Sequence, residues 1–176
     1  MEKALGEYRD IHTHGPAAAE VIRNLNLYEA PVAGYAYSAG IHPYDATEAT
    51  DTAWQWLEDV CRRPEVVAIG EAGLDRLRVG FPEPQTEIFI RQALLAEEVD
   101  KPLIIHCVRA WGELIGLKRR LKPSLPWIIH GFRGKPALAR QLLDAGFHLS
   151  FGKKYNPDSL ALTPPSRRYG ETDEDY

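Results

Sequence analysis

Trp127-Ile128-Ile129-His130 is the stretch from which the fold can be read. Three β-prone apolar residues, a strand's worth, stop at a histidine. Leu103-Ile104-Ile105-His106 repeats the pattern upstream. Val66 to Ile69 runs into Gly70-Glu71, and Tyr35 to Ile41 runs into His42-Pro43. Phe147 to Phe151 is another apolar run, and Gly170-Glu171-Thr172-Asp173 closes the last candidate strand. Near-continuous apolar strands are expected in a sheet covered on both faces. Helical spacing fills the gaps. Thr47 is placed to cap a helix carrying Trp54, Leu57, Val60 and Cys61 on one side. Pro84 to Val99 sets Ile88, Leu94, Leu95 and Val99 near helical spacing, and Ala110 to Leu121 and Pro136 to Ala145 follow, with Gly146 suited to a C-terminal cap. Strands alternating with helices argue for parallel β/α construction. An open doubly wound sheet and a closed barrel both meet these criteria. The open form usually carries a glycine-rich phosphate turn, and neither GxGxxG nor a P-loop occurs here.

The polar residues fall in one place. Histidine and carboxylate groups are uncommon in cores unless paired or metal-bound. One histidine after a strand is an ordinary loop residue. Several at the same end of successive strands are not, because in a β/α barrel those ends converge on one mouth. Five of the six histidines fall in this set. His148, inside Gly146-Phe147-His148-Leu149, reads as structural or surface. His12-Thr13-His14 belongs to the set: residues i and i+2 of a strand share a face, so two imidazoles are offered side by side. Taken alone, this pair could equally be two surface histidines near a turn.

Composition bounds the answer. The 176 residues suffice for one domain, 1–176, with a sizeable core. The net charge of −4 argues against a broadly basic nucleic-acid surface, though not against a small metal-assisted phosphate site. Cys61 and Cys107 make no disulfide framework, so a reducing cytoplasm is expected. No leader and no long apolar run is evident, so neither membrane insertion nor secretion is expected.

His12-Thr13-His14, Gly40-Ile41-His42-Pro43, Gly70-Glu71-Ala72-Gly73-Leu74-Asp75, Ile105-His106-Cys107, Ile129-His130-Gly131-Phe132 and Glu171-Thr172-Asp173 together resemble the TatD-like metal-dependent hydrolases, within the wider amidohydrolase-like metal barrels. The resemblance runs from about residue 8 to the end. It implies a TIM-type (β/α) barrel of parallel strands with a metal site at the C-terminal strand ends. It also implies two divalent metal ions, zinc, magnesium or manganese. His12, His14, Glu71 and Asp173 would surround one; Glu71, His106 and His130 would surround the other, with Glu71 bridging. Asp173 and Glu71 would be catalytic, Asp173 as the general base toward water. His42 resembles a substrate-pocket position. Arg109 is either a second substrate contact, through its guanidinium fork, or a solvent-facing helix start. Arg133 and Lys135 could also meet phosphate, and the family usually has a small polar residue near Arg133. Asp75 reads as a turn carboxylate, Cys107 as a small buried hydrophobe, and Lys118-Arg119-Arg120 and Arg167-Arg168 as solvated faces.

Two departures from the family pattern stand out. The stretch between His14 and His42 is short, so one helix is expected to be missing, with Val21 to Leu27 a strand followed by a plain loop. An incomplete or distorted barrel follows, since regular ones typically need about 200 residues or more. The sequence also stops three residues after Asp173, where the family adds a closing helix. Apolar surface on the first and last strands would lack a cover, so either a partner chain, a homo-oligomer being one form, or intrinsic instability is expected. The function implied is a phosphodiesterase, a deoxyribonuclease acting on DNA ends or a small phosphoester. Asp10-Ile11-His12-Thr13-His14 also resembles the opening of the polymerase-and-histidinol-phosphatase family, whose Ser-Asp-Gly motif is absent. An amidase lacks its bridging lysine. A metal-binding protein without turnover is the reading from another class.

Overall fold

The computed structural model describes residues 3–173. Eight strands follow one another around a single sheet: β1 (Asp10–Thr13), β2 (Val21–Asn24), β3 (Ala36–Ala39), β4 (Val66–Asp75), β5 (Leu103–Val108), β6 (Trp127–Ile129), β7 (His148–Phe151) and β8 (Arg168–Gly170). Every adjacent pair is parallel. Five helices cover the outside: α1 (Asp51–Val60), α2 (Glu83–Glu98), α3 (Trp111–Leu121), α4 (Pro136–Asp144) and α5 (Pro157–Leu162). The barrel expectation therefore holds. The shortening is greater than expected, because neither the β1–β2 nor the β2–β3 connection contains a helix. The loop after β2 is pinned instead by Arg23 paired with Glu29 at 2.7 Å and by the Trp56 indole N–H donating to Glu29 O at 2.9 Å.

Alternation along β6 sorts the core. Trp127 and Ile129 face the helices, packing with Phe89 of α2, Leu114 of α3 and Leu142 of α4. Ile128 points the other way and joins Ile11 and Ile22 in a separate cluster inside the barrel. His130 follows two residues after Ile128, so its side chain rises from the interior at the strand's end.

Two buried glutamines on α2 fix the strand ends that lead to the site. Gln92 accepts from Ile41 N at 2.8 Å and donates to Ile41 O at 3.0 Å, just before His42. Gln85 accepts from Asp75 N at 2.7 Å and donates to Asp75 O at 3.1 Å. These amides mimic a neighbouring strand where the sheet has no more ladder to offer. Gly73 is required for a different reason: a Cβ there would lie 1.7 Å from His106 O, so only glycine lets β4 lie this close to β5.

Several local expectations are corrected. Thr50, not Thr47, caps α1, its hydroxyl accepting from Ala53 N at 3.3 Å. Thr47 is spent in a 3₁₀ segment, Pro43–Glu48, which starts at the proline after His42. Leu94 is 56% exposed, because the buried face of α2 is set by Phe89, Gln92 and Ala96. Arg167 is not solvated: its guanidinium donates to Leu143 O at 2.6 Å and Phe147 O at 2.5 Å. Lys118 is half-buried, 5.6 Å from the Phe147 ring centroid. Burial foremost, then the nearby Arg167 charge, lowers its pKa. The last strand is Arg168–Gly170, and Glu171 to Asp173 continue past it.

Among the described residues, β1 and β8 share no ladder. Side chains bridge the seam instead. Asp10 Oδ1 accepts from Thr172 N at 3.2 Å and from His12 N at 3.1 Å, and Asp10 Oδ2 accepts from Thr172 Oγ1 at 2.6 Å. Asp173 N then donates to His12 O at 3.0 Å. Replacing Asp10 by Ala leaves these donors unmet in a buried position. The expected loss, read from the urea midpoint, is on the order of 3 kcal/mol, against about 1 kcal/mol for Thr50→Ala. Equal, small losses would mean the seam is held by something else.

Candidate metal centre

The strand ends deliver their side chains to one point. Glu71, on β4 and 4% exposed, stands at the centre. Its Oε2 lies 3.1 Å from His14 Nε2 and 3.4 Å from His12 Nε2. Its Oε1 lies 2.7 Å from His130 Nε2, 3.5 Å from His42 Nε2 and 3.7 Å from His106 Nδ1. Asp173 Oδ1 lies 3.2 Å from His12 Nε2 and 3.9 Å from His14 Nε2. All six residues expected as ligands thus meet in one cluster. Five of them line a cleft of about 750 Å³, and His12 is buried behind them.

The groups behind the histidines decide what each ring can do. His106 Nε2 is 2.9 Å from Asp75 Oδ2, so it donates there and turns its Nδ1 lone pair inward. His130 Nδ1 is 3.3 Å from Glu171 Oε2, which leaves Nε2 facing inward. Glu171 is itself held by Gly131 N at 2.5 Å. His42 is arranged the opposite way. Its Nδ1 accepts from Tyr44 N at 3.0 Å, so the neutral ring carries its proton on Nε2, toward Glu71. A protonated Nε2 donates a hydrogen bond rather than ligating a cation. His42 is therefore built as a donor, although it lies within ligand spacing of Glu71 and His106.

Asp75 and Glu171 carry more than the sequence suggested. Asp75 does brace its turn, accepting from Leu77 N at 3.0 Å, but its second oxygen orients His106. The signal that finds both is chemical: a histidine ligand's second nitrogen needs an acceptor. Asn24 had no signal at all. Its amide donates to Ser38 Oγ at 2.9 Å and Gly70 O at 2.7 Å, tying β2 to β3 and β4 beneath the cleft. Arg109 is exposed, lines the cleft and adopts a left-handed backbone (φ 54°) just before α3. Arg133 also lines the cleft, whereas Lys135 is exposed at the start of α4 and does not. Cys107 is largely buried, and burial pushes its thiol up to about 12, so it stays a neutral packing group. His148 is bonded to the Tyr169 hydroxyl at 2.9 Å, and burial foremost lowers it to about 4, as a structural residue.

The donor set fits divalent cations. Both ring nitrogens of buried His12 lack a hydrogen-bond partner of acceptable geometry among the described residues, although Nε2 is near two carboxylates. An unsatisfied buried imidazole is costly unless something not of the protein completes it. His12, His14 and Glu71 form one group of ligand spacing, and His12, His130 and Asp173 another. Imidazole mixed with carboxylate suits zinc or manganese, and magnesium less well.

The cluster is electrostatically coupled. Burial alone would raise the Glu71 carboxyl, but the charges of His130 and His12 and the hydrogen bond from His130 hold it well below its ordinary value. Burial would lower His130, but Glu71 and Glu171 hold it well above. Burial would likewise raise Asp173, and its contact with His12 and the charge of His130 lower it. Glu71's contribution to stability is therefore present above about pH 4.5 and lost as pH falls through the lower folded value. His130's contribution is complete below about pH 6.5 and lost as pH rises through the higher folded value. Metal needs His130 neutral. The gain in melting temperature on adding zinc or manganese to chelator-stripped protein should thus increase from pH 5.5 to 8. A gain independent of pH would show that His130 is not a ligand. Asp75→Asn and Glu171→Gln should each weaken metal binding in calorimetry about 10- to 100-fold while the protein stays folded; unchanged affinity would deny them the orienting role.

Comparison with known proteins agrees with this arrangement. A family model described as TatD related DNase matches residues 10–175. The chain is 37% identical over 121 residues to an uncharacterized metal-dependent hydrolase, YabD, of Bacillus subtilis, covering 67% of this chain and 48% of that protein. It is 33% identical over 155 residues to the 3'-5' ssDNA/RNA exonuclease TatD of Erwinia billingiae, covering 81% and 59%. The chain thus spans about half the length of these relatives. Among solved structures, the TatD homolog YJJV of Escherichia coli K12 superposes with a TM-score of 0.76 at 23% identity, covering 97% of this chain and 80% of that one. A TatD family hydrolase from Entamoeba histolytica gives 0.69 at 22%, covering 87% and 60%. At such identity these likenesses speak for the barrel alone. With the family model spanning nearly every residue from β1 onward, the chain belongs to the TatD related DNase family.

Proposed function

We propose that this chain is a divalent-metal-dependent phosphodiesterase that hydrolyses DNA at strand ends, with two cations in the Glu71 cluster. The observation that carries this reading is the division of Glu71: one carboxylate oxygen faces His12 and His14, the other faces His106 and His130. A carboxylate presented this way can be shared between two ions. His12, His14, Glu71 and Asp173 would hold one cation, and Glu71, His106 and His130 the other. When bound, such ions would neutralise phosphoryl oxygens and acidify a water.

The chain's own residues would do the rest. Asp173, a third exposed, can reach a water in the cleft and accept its proton as the oxygen adds to phosphorus. The opposite P–O ester bond breaks, giving a phosphomonoester and an alcohol that takes up a proton. His42 would donate from Nε2 to a phosphoryl oxygen. Arg109 would engage a flanking phosphate through its planar fork. The relative from Erwinia billingiae is named an exonuclease on single-stranded DNA and RNA, which supports a nucleic-acid substrate. The two free cysteines support a reducing cytoplasm as its setting. No helix of the described residues is long and apolar enough to cross a membrane.

Asp173→Asn should lower kcat on a phosphodiester about 100-fold or more, with bound metal, measured by elemental analysis, largely retained. Activity on phosphomonoesters alone would favour the phosphatase instead. Metal binding with no turnover that depends on Asp173 would leave a binding protein.

A further inference from the structure

The mouth of the cleft holds a pair that the proposed chemistry does not use. Tyr44 is 49% exposed and sits two residues after His42 in the 3₁₀ segment. Its ring centroid is 4.3 Å from that of His42 and 5.6 Å from that of His106. The Arg78 guanidinium carbon, from the loop after β4, lies over the Tyr44 ring 3.4 Å from its centroid. Arg78 is exposed, with no carboxylate partner among the described residues. Its neighbour Arg76 differs: it is tied to Glu113 and donates to Arg109 O at 2.7 Å. So one arginine of this loop is committed to holding the loop, and the other is free to move. On either side of Arg78, Leu77 (64% exposed) and Val79 (86% exposed) leave apolar side chains to solvent.

A planar cation stacked on an exposed aromatic ring occupies a place where a nucleobase also fits. Bases stack on tyrosine and on guanidinium planes alike. Tyr44 adjoins two of the imidazoles that face Glu71, so a phosphodiester held at Glu71 brings the base of the adjoining nucleotide to this ring. We propose that Tyr44 and Arg78 form a stacking clamp that receives the unpaired nucleobase next to the scissile phosphate. The clamp rests on the phosphodiesterase reading and sharpens it. A base inside a duplex has both faces covered, so Tyr44 can accept only a nucleotide already free of its stack. In a chain of net charge −4, local grips of this kind replace a broad cationic surface. Arg78 would swing from the ring onto the base or its phosphate, its side chain unencumbered by any other pair. The Tyr44 backbone N–H meanwhile stays on His42 Nδ1. Removing the ring therefore need not disturb the histidine.

A single-stranded oligonucleotide carrying 2-aminopurine at its terminal nucleotide tests the clamp. In metal-loaded protein carrying Asp173→Asn, whose turnover is about 100-fold slower or more, the wild-type clamp should quench the fluorophore. Tyr44→Ala should abolish the quench and Tyr44→Phe restore it, and Arg78→Ala should weaken it. With the metal-loaded protein, Tyr44→Ala should raise KM for the normal strand about 5- to 100-fold, with the change in KM rather than kcat. On a strand with an abasic terminal nucleotide, the wild type should lose that same factor and Tyr44→Ala should lose nothing further. Absence of quenching by the wild-type clamp, or an equal loss by Tyr44→Ala on normal and abasic strands, would overturn the clamp. Hydrolysis of strands with no dependence on Tyr44 would remove the clamp and leave the phosphodiesterase reading standing. Tyr44-dependent quenching without hydrolysis of any strand would do the reverse.

Discussion

Everything above the barrel floor answers to one buried carboxylate. Glu71 is nearly out of reach of water and ringed by five imidazoles. A charge in that position is expensive unless every lone pair is met. The imidazoles meet it, and in turn need their outer nitrogens met. Asp75 does this for His106, Glu171 for His130, and the Tyr44 N–H for His42. Those groups are anchored to main chain: the Asp75 carboxylate by Leu77 N, Glu171 by Gly131 N. The demand thus travels outward in shells until backbone ends it. Each shell narrows the orientations left to the one inside it.

The sequence made the inner shell legible and the outer one nearly invisible. His106 and His130 announce themselves because an apolar strand stops at them. Glu71 and Asp173 do so through the company they keep. Asp75 looked like a turn residue, and it is one; its second oxygen makes it something more, and a single letter cannot express two bonds. Asp10 and Thr172 are 162 residues apart and pair across the closure, so no local pattern could have joined them. The α1 cap slipped from Thr47 to Thr50 because both are threonines ahead of one apolar face, and only the room taken by Pro43–Glu48 separates them. The charge of Arg167 by itself points to solvent, whereas the carbonyls of Leu143, in the last turn of α4, and Phe147, just before β7, draw its guanidinium in.

The economy of this barrel is uneven. Strands β3 to β7 each lead into a helix, and their ends carry His42, Glu71, His106 and His130. Strands β1 and β2 lead into plain loops, and the loop after β2 rests on Glu29 and Trp56 rather than on a helix. Helices were dispensable where a few side-chain bonds could hold the strands. They remain where Gln85 and Gln92 must reach from α2 to set the strand ends.

The seam gives Asp173 a second meaning. The same short stretch that bridges β8 to β1 through Asp10 and Thr172 also carries the proposed base, and Asp173 N is itself bonded to His12 O. On the proposed mechanism, ring closure and competence would therefore be one equilibrium. A molecule whose seam opened would lose its proposed base and one wall of its His12 contacts together. On the proposed mechanism such a molecule would turn over at least about 100-fold more slowly. Bulk turnover would then count the closed fraction of the population, and warming would thin that fraction through local opening.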